Sequence, residues 1–216
     1  DIVVENFRPG TMDRLGLGYQ DLKKVNPEVI YAAISGFGQT GPYRERAGYD
    51  LIAQAISGMM SVTGWPDEEP TRAGFPVCDV IGGLSGALGI LAALHHRNVT
   101  GEGQMIDISL VDGAVACMEI INQIYLVGGQ IPRRRGNRYE YACPNDSYKA
   151  KDGSFVIAAA NDSLWKKLCV LMDREDLLAD SKFDNNYKRV QNHEEIRNSI
   201  EAWSIGFSVD EIVGVL

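Results

Sequence analysis

The sequence is poor in the residues from which metal sites and disulfide frameworks are built. It has three histidines and four cysteines among 216 residues. No two cysteines have CxxC spacing, and each lies among apolar or small residues, which is typical of free thiols in a reducing compartment. With so few histidines, two of them adjacent, we expect no metal site. The cysteines are Cys78, Cys117, Cys143 and Cys169.

Concentrated positive charge is also missing. Lysine and arginine number 21 against 29 acidic residues, so the formal net charge is −8 at pH 7. A protein that binds nucleic acid needs a dense basic surface to match the phosphate backbone. The one dense basic run, Arg133–Arg135, is too short for this, although such a patch can hold a small phosphorylated ligand. We therefore expect no nucleic-acid partner.

Long apolar runs are absent as well. The longest, Val80–Leu94, is too short and too rich in glycine for a membrane span, and it predicts a buried core helix. We expect no membrane partner. Neither a signal peptide nor a transit peptide is recognisable. The predicted location is the cytoplasm, with the mitochondrial matrix as the alternative because the N-terminus looks cut.

The two ends predict an interior fragment of a longer protein. The chain opens on the strand-like run DIVVEN with no initiator methionine. It stops inside a helical pattern that Ser208 caps, with no stop signal after it. We expect such a fragment to be inactive by itself, because a parallel strand needs neighbours that cover both of its faces.

The first 132 residues predict an α/β domain with a parallel sheet. Apolar runs at Ile2–Val4 and Val29–Ile34 are separated by short helical segments, which is the pattern of a βαβ unit. A glycine-rich loop, Ser35–Pro42, follows the second run. Gln104–Val111 alternates polar and apolar residues and predicts a third strand. Together these features indicate a Rossmann-like large domain over residues 1–132, with its N-terminal part missing.

Several aspartates mark predicted helix starts in this half. Asp50 begins one apolar helix, and Asp79 opens another that runs to about His96. Asp112 and the glycine after it end the third strand, and a helix follows from Ala114 to about Val127.

Residues 133–216 predict a small α+β domain, with its C-terminal part missing. Two short strands flank Lys151-Asp152-Gly153, which is a hairpin signal. Asp162 or Ser163 then caps a helix, and a further helix covers Glu194–Trp203.

Asp112 is the first candidate for chemistry, because it lies between a strand and a helix, where α/β proteins place ligands. The helix dipole keeps a carboxylate there ionised, and such a carboxylate can attack an activated acyl carbon. Sequence pattern alone favours an ordinary N-cap for Asp112 instead.

Two further residues have simpler interpretations. Asp107 lies on the opposite face of the strand from Asp112 and is interpreted as structural, paired with a backbone N–H or an arginine. Arg14 either binds a phosphate or is a solvated helix residue.

The motifs carry more information than any single residue. The run ENFRPG is followed by DRLG, SGFGQTGP, AGYDLIAQAISGMMSVTG, GALGILAAL, TGEGQMIDISLVDG and KDGSFVIAAANDSLWKKLC. In this order and spacing they resemble family III CoA-transferases of the formyl-CoA transferase type, over almost the whole chain.

The resemblance implies a two-domain α/β enzyme about twice this length that forms a dimer of interlinked subunits. Such enzymes move coenzyme A from an acyl-CoA donor to a free carboxylic acid, through an aspartyl anhydride and an aspartyl-CoA thioester. The family's nucleophile falls in the motif SLVDG, and therefore on Asp112, which reverses the preference for an N-cap. Coenzyme A is a substrate here, and no tightly bound cofactor is implied.

The resemblance also assigns contacts. Tyr49 and Asp50 match groups that face the reacting centre, and the motifs around them lean towards dicarboxylic acids such as succinate as substrates. The residues matched to CoA contacts are Asn6, Phe7, Arg8, Arg14, Ala47 and Gly48.

Two departures and two alternatives stay open. A glycine run that closes over the active site in some members is replaced here by Asn137–Pro144, and the family's N-terminal CoA-binding segment is missing.

The first alternative function is that of an α-methylacyl-CoA racemase. Such an enzyme shares the motifs but has a histidine where this chain has Tyr49, and a tyrosine with a pKa of about 10 is a poor base. The other alternative is a non-catalytic homologue.

Overall fold

The computed structural model describes residues 1–216 in two compact units, Asp1–Arg134 and Arg135–Leu216. The predicted division after Pro132 lies two residues before this boundary.

The first unit is built on a sheet of three parallel strands, β1 (Ile2–Glu5), β2 (Ile30–Ser35) and β3 (Met105–Ser109), in the order β1-β2-β3. In the centre of the sheet Ala32 pairs with Val4 on one side and with Ile106 on the other. The central strand is almost wholly buried. The sheet confirms the predicted parallel α/β fold.

Seven helices connect these strands or follow them. The helix predicted after Asp50 is interrupted at Gly58, whose φ of 90° ends one helix and begins the next. The helix predicted from Ala114 begins earlier, at Leu110, because Ser109 Oγ accepts a hydrogen bond from Asp112 N and caps it. The helices are α1 (Thr11–Arg14), α2 (Tyr19–Val25), α3 (Asp50–Ile56), α4 (Met59–Val62), α5 (Val77–Thr100), α6 (Leu110–Cys117) and α7 (Glu119–Leu126).

The long helix α5 packs on the sheet through a face of small residues. A Cβ at Gly82 would lie 2.5 Å from Leu110 Cδ2, and one at Gly86 would lie 3.2 Å from Ile34 Cδ1. Its opposite face is apolar but exposed, so the expected core helix is buried along one side only. By length and composition α5 could also cross a membrane. The exposed apolar residues of that face are Val80, Leu84, Leu88 and Leu91.

The second unit has the predicted α+β composition. An antiparallel hairpin of β4 (Asn145–Lys149) and β5 (Ser154–Ala158) packs with α8 (Asp162–Leu171), α9 (Asp176–Ala179), α10 (Asn186–Gln191), α11 (His193–Ser204) and α12 (Val209–Val215). Asn161, rather than Asp162 or Ser163, caps α8, since its side chain accepts from Leu164 N at 2.8 Å. The predicted cap at Ser208 is confirmed, as a reciprocal capping box with Glu211.

A buried guanidinium holds the loops of this unit together. Arg189 is 0% exposed. It donates to the carbonyl oxygens of Cys143, Phe183 and Ala160 at 3.0, 3.1 and 2.7 Å, and to the Asp162 carboxylate at 2.8 Å. A charge that is satisfied by four acceptors can be buried at little cost, whereas its loss would leave buried carbonyls without partners.

Candidate active site

The candidate site lies where the three parallel strands end. β1 ends at Glu5, β2 at Ser35 and β3 at Ser109. Because parallel strands present their carboxyl ends at one edge, the segments that follow them meet there. The motif ENFRPG and the glycine-rich loop are therefore neighbours in space, although about 30 residues separate them along the chain.

Two contacts shape the glycine-rich loop. Both carboxylate oxygens of Asp107 lie 3.0 Å from Gln39 N, so β3 holds the loop that follows β2. This confirms the structural role predicted for Asp107. Gly36 and Gly48 approach so closely that a Cβ on either would overlap with the backbone of the other. That approach brings the segment before α3 against the end of β2.

A cavity of about 520 Å³ opens between these segments, and we call it the Asp79 cavity. Its charged groups are Arg8, Arg46 and Asp79, and its exposed aromatic groups are Phe7 and Tyr49. A pocket that combines two guanidinium groups with a carboxyl group and apolar surface suits an anionic ligand that has an apolar portion. Its other lining residues are Asn6, Pro9, Ile34, Ser35, Gly36, Ala47, Gly48, Gly83 and Leu110.

A second cavity of about 760 Å³, the Arg14 cavity, adjoins the first. Arg8 and Pro9 line both cavities, so the two form neighbouring parts of one surface. The second cavity contains the guanidinium groups of Arg14 and Arg44, and the carboxyl groups of Glu5, Asp13 and Glu45 also line it. Arg14 Nη2 donates to Thr11 Oγ1 at 3.0 Å, which leaves its other N–H groups available for a phosphate.

Asp79 is the titratable group of the first cavity whose environment is most altered. Partial burial desolvates its carboxyl group and raises its pKa, and the nearby negative charge of Asp50 raises it further. Asp79 is the third residue of α5, where the helix dipole acts in the opposite direction and favours the carboxylate. A carboxyl group with an altered pKa in a cavity is a candidate for chemistry.

Asp112 lies directly after β3, in the first turn of α6, which is the strand-to-helix position that the sequence indicated. It is the third residue of α6 and is exposed. Leu110 and Ala114, four residues apart, form the buried face of α6, and a residue midway between them points away from that face. Asp112 lines neither the Asp79 cavity nor the Arg14 cavity. Its predicted role as nucleophile stays a prediction.

Asp50 is 8% exposed and engages protein groups rather than the cavity. Its Oδ1 accepts from Cys78 N at 2.8 Å, and its Oδ2 accepts from Gln54 Nε2 at 2.7 Å. Although Ala47, Gly48 and Tyr49 line the Asp79 cavity, Asp50 lies behind this wall.

A family model described as CoA-transferase family III matches residues 1–216. The chain belongs to CoA-transferase family III. It is 44% identical over 202 residues to an acetyl-CoA:oxalate CoA-transferase of Acetobacter aceti, a match that covers 93% of this chain and 52% of the relative. It is 39% identical over 213 residues to a succinyl-CoA–D-citramalate CoA-transferase of Chloroflexus aurantiacus, covering 98% of this chain and 53% of the relative.

The fold agrees with solved structures of the family. A CAIB/BAIF family protein from Brucella suis superposes with a TM-score of 0.85 at 38% identity, over 99% of this chain and 57% of that one. The chain thus spans about half the length of the family III relatives it matches.

The structure brings together most of the residues that the resemblance predicted. Asn6, Phe7, Arg8, Ala47, Gly48 and Tyr49 all line the Asp79 cavity, and Arg14 lies in the adjoining one. Their individual roles in family III chemistry remain predictions.

Sequence reasoning did not single out Asp79, Arg46 or Ser35 as site residues. The sequence indicated Asp79 only as a helix start. Acidic residues are common in the first turn of helices, so this signal does not distinguish a site residue. Ser35 lies at the end of β2 on the cavity wall, and its buried hydroxyl has no hydrogen-bond partner. A signal for all three would have been their nearness to the carboxyl ends of the predicted strands.

Proposed function

We propose that this family III chain is part of an enzyme that transfers coenzyme A from an acyl-CoA donor to a free carboxylic acid. The observation that carries the proposal is the Asp79 cavity, in which one carboxyl group faces the same space as two guanidinium groups and Tyr49. The names of the relatives, which are CoA-transferases, support the same reaction class.

The proposed nucleophile is Asp112, the aspartate of the SLVDG motif to which the family resemblance assigns this role. It lies in the first turn of α6, directly after β3, and its side chain is exposed. A carboxylate oxygen of Asp112 attacks the thioester carbonyl carbon, the carbon–sulfur bond breaks, and CoA leaves as the thiolate. The product on the protein is a mixed anhydride between the acyl group and Asp112. No proton is gained or lost overall.

The second half exchanges the partners. The CoA thiolate attacks the Asp112 carbonyl carbon, the donor acid leaves as a carboxylate, and an aspartyl-CoA thioester remains. The acceptor carboxylate then attacks this thioester, and the same steps in reverse order release the new acyl-CoA and restore Asp112.

The acids are proposed to be dicarboxylic. Arg8 and Arg46 line the cavity that holds Asp79, and a guanidinium binds a carboxylate with two parallel hydrogen bonds. One carboxylate of such an acid can then react while the other is held. Oxalate and citramalate, which appear in the names of two relatives, are both dicarboxylic acids.

The phosphates of CoA are proposed to lie in the Arg14 cavity. It adjoins the Asp79 cavity through Arg8 and Pro9, so an extended ligand can occupy both. The homodimer and the cytoplasmic location belong to the same proposal and rest on the resemblance described above.

The test compares two substitutions, Asp79→Asn and Asp112→Asn, in a matched pair. Each protein is incubated with succinyl-CoA and then with a free acid, and CoA transfer is followed by chromatography. The protein mass is measured after borohydride reduction, which converts an aspartyl thioester to the alcohol and releases CoA. We expect transfer and the reduced product to disappear in Asp112→Asn and to persist in Asp79→Asn.

The opposite pattern, with loss only in Asp79→Asn, would move the nucleophile from the SLVDG motif to the first turn of α5. Transfer that persists in both variants would overturn the aspartyl mechanism for this protein.

A further inference from the structure

One polar group in the wall of the Asp79 cavity lacks a protein partner. Ser35 is the last residue of β2, it lines the cavity, and it is 9% exposed. No protein group forms a hydrogen bond with its buried Oγ. Ser109, which pairs with Ser35 in the sheet, uses its own Oγ to accept from Asp112 N at 3.1 Å. The fold therefore uses the hydroxyl group of Ser109 and leaves that of Ser35 without a bond.

The packing of β2 gives no reason for a hydroxyl group at this position. Ala32 and Ala33, which precede Ser35 closely on the strand, are apolar and 0% exposed. A buried hydroxyl group without a partner makes a protein less stable than alanine would at the same place. A serine Oγ has three staggered positions, so rotation about χ1 can turn it towards the cavity. A hydroxyl group that the fold does not use, beside a cavity, is a candidate for binding a ligand.

The charged groups of the cavity suit an anion. Arg8 and Arg46 outnumber the single carboxyl group there, that of Asp79. Neither guanidinium group forms an ion pair with an acidic side chain. The guanidinium carbon of Arg46 lies 4.1 Å from the centroid of the Tyr43 ring. Such stacking holds the guanidinium plane and leaves its N–H edge available for a carboxylate.

The close approach of two glycines brings Ser35 and Arg46 to the same wall. A Cβ at Gly36 would lie 2.3 Å from Gly48 Cα, so neither position has room for a side chain. Ser35 directly precedes the first of these glycines, and Arg46 lies two residues before the second. A hydroxyl donor and a guanidinium donor can therefore bind the same carboxylate, which accepts several hydrogen bonds at once.

We propose that Ser35 is a specificity-determining residue whose hydroxyl group donates a hydrogen bond to the non-reacting carboxylate of a dicarboxylic substrate, beside Arg46. This inference rests on the proposed function and adds a residue that the family resemblance did not assign. The acyl group of the donor and the free acid occupy the site in turn, so the hydroxyl group contacts both. An acyl chain that ends in a methyl group offers no acceptor, and Ser35 then contributes nothing to its binding.

The first test is kinetic and compares succinyl-CoA with butyryl-CoA, whose acyl chain has the same number of carbon atoms but ends in a methyl group. In the full-length enzyme, Ser35→Ala should lower kcat/KM for succinyl-CoA by roughly tenfold to a hundredfold, the size of one hydrogen bond to a charged group. The value for butyryl-CoA should stay near normal. Ser35→Cys, which keeps a side chain of similar shape but is a weak donor, should show the same loss for succinyl-CoA.

The second test measures stability and binding without turnover. Ser35→Ala removes a hydroxyl group that has no protein partner, so its midpoint of urea unfolding should equal or exceed that of the unaltered protein. The matched control is Ser204→Ala in the second unit, because Ser204 is 0% exposed and its Oγ donates to Lys149 O at 2.6 Å. That variant should lose stability and bind succinate normally. Calorimetric titration with succinate in the presence of CoA should show weaker binding in Ser35→Ala.

The inference is overturned if Ser35→Ala keeps the normal ratio of the two kcat/KM values and binds succinate normally. An equal loss for both acyl-CoAs would also overturn it, because that pattern indicates a disturbed cavity. Full activity of Ser35→Cys would do the same, since the hydroxyl group would not be needed.

Failure of the inference and failure of the proposed function give different results. If the unaltered enzyme transfers no CoA but binds succinate through Ser35, the proposed function fails and the carboxylate site stands. If transfer is normal and the preference for succinyl-CoA does not depend on Ser35, the function stands and the inference fails.

Discussion

Asp107 in β3 holds Gln39, in the loop after β2, through both carboxylate oxygens at 3.0 Å from the Gln39 backbone nitrogen. The bond joins residues 68 positions apart in the chain. It determines where the glycine-rich loop runs, because a loop without side chains at its glycines has few other contacts to hold it. Gln39 itself lines the Arg14 cavity.

We expect Asp107→Ala to destabilise the protein by about 1 kcal/mol, the usual size of one hydrogen bond at a partly exposed site. Asp107→Asn should lose less, since its side-chain oxygen still accepts. Unfolding in guanidinium chloride measures both changes. The control is Glu102→Ala, at an exposed turn residue, for which no change is expected. Equal midpoints for Asp107→Ala and Glu102→Ala would contradict the role assigned to Asp107.

We expect Arg14→Ala to weaken CoA binding by roughly 1.5–3 kcal/mol, the size of a hydrogen bond to a charged group. The chemical step should change much less, because Asp112 does not line the Arg14 cavity. Calorimetric titration with CoA measures the dissociation constant. Lys24→Ala, at an exposed position on α2, should leave it unaltered. A normal constant for Arg14→Ala would remove Arg14 from the binding site.

The raised pKa of Asp79 predicts how its removal changes stability with pH. Below the unfolded-state pKa of about 3.9, the carboxyl group is neutral in both states and contributes no difference. As the pH rises towards the folded-state pKa, the unfolded state loses its proton first and becomes relatively favoured. The unaltered protein therefore carries a destabilising contribution above this window, and the neutral side chain of Asp79→Asn does not.

We expect Asp79→Asn to unfold at a higher urea concentration than the unaltered protein at pH 7. The gain should shrink as the pH is lowered through about 4. Asp112→Asn is the matched control, because Asp112 is also the third residue of a helix but lines neither cavity. A gain for Asp79→Asn that grows towards low pH would show that the sign of the pKa shift is wrong.

Arg189 and Arg174, both in the second unit, should differ sharply in how much their substitution destabilises the protein. Arg189→Met removes a fully buried guanidinium and leaves three carbonyl oxygens without donors, so we expect a loss of at least about 3 kcal/mol. Arg174→Ala removes an exposed pair with Asp176, and solvent screens such a pair, so we expect little change in stability. Unfolding that is monitored by hydrogen exchange of the amides in residues 135–216 measures both losses of stability. A similar small loss in each would contradict the role of Arg189.

The sequence by itself determined the strands, most of the helices and the edge of the sheet at which the candidate site forms. Apolar runs separated by helical segments can bury both faces of a strand only in a parallel sheet, and parallel strands bring their carboxyl ends together. ENFRPG and the glycine-rich loop therefore had to meet, whereas AGYD is brought to them by the close approach of Gly36 and Gly48. The capping box at Ser208 was equally predictable, because it is formed by residues within one turn.

The direction of side chains within the first turns of helices was decided only by the tertiary structure. Asp79 and Asp112 are both third residues of helices. Both are exposed, but Asp79 lines a cavity and Asp112 does not, because the two helices pack against different neighbours. Ser109 caps α6 through the Asp112 backbone N–H. The first turn of α5 is held by Asp50, 28 residues earlier in the chain, and no local pattern in the sequence could indicate that bond.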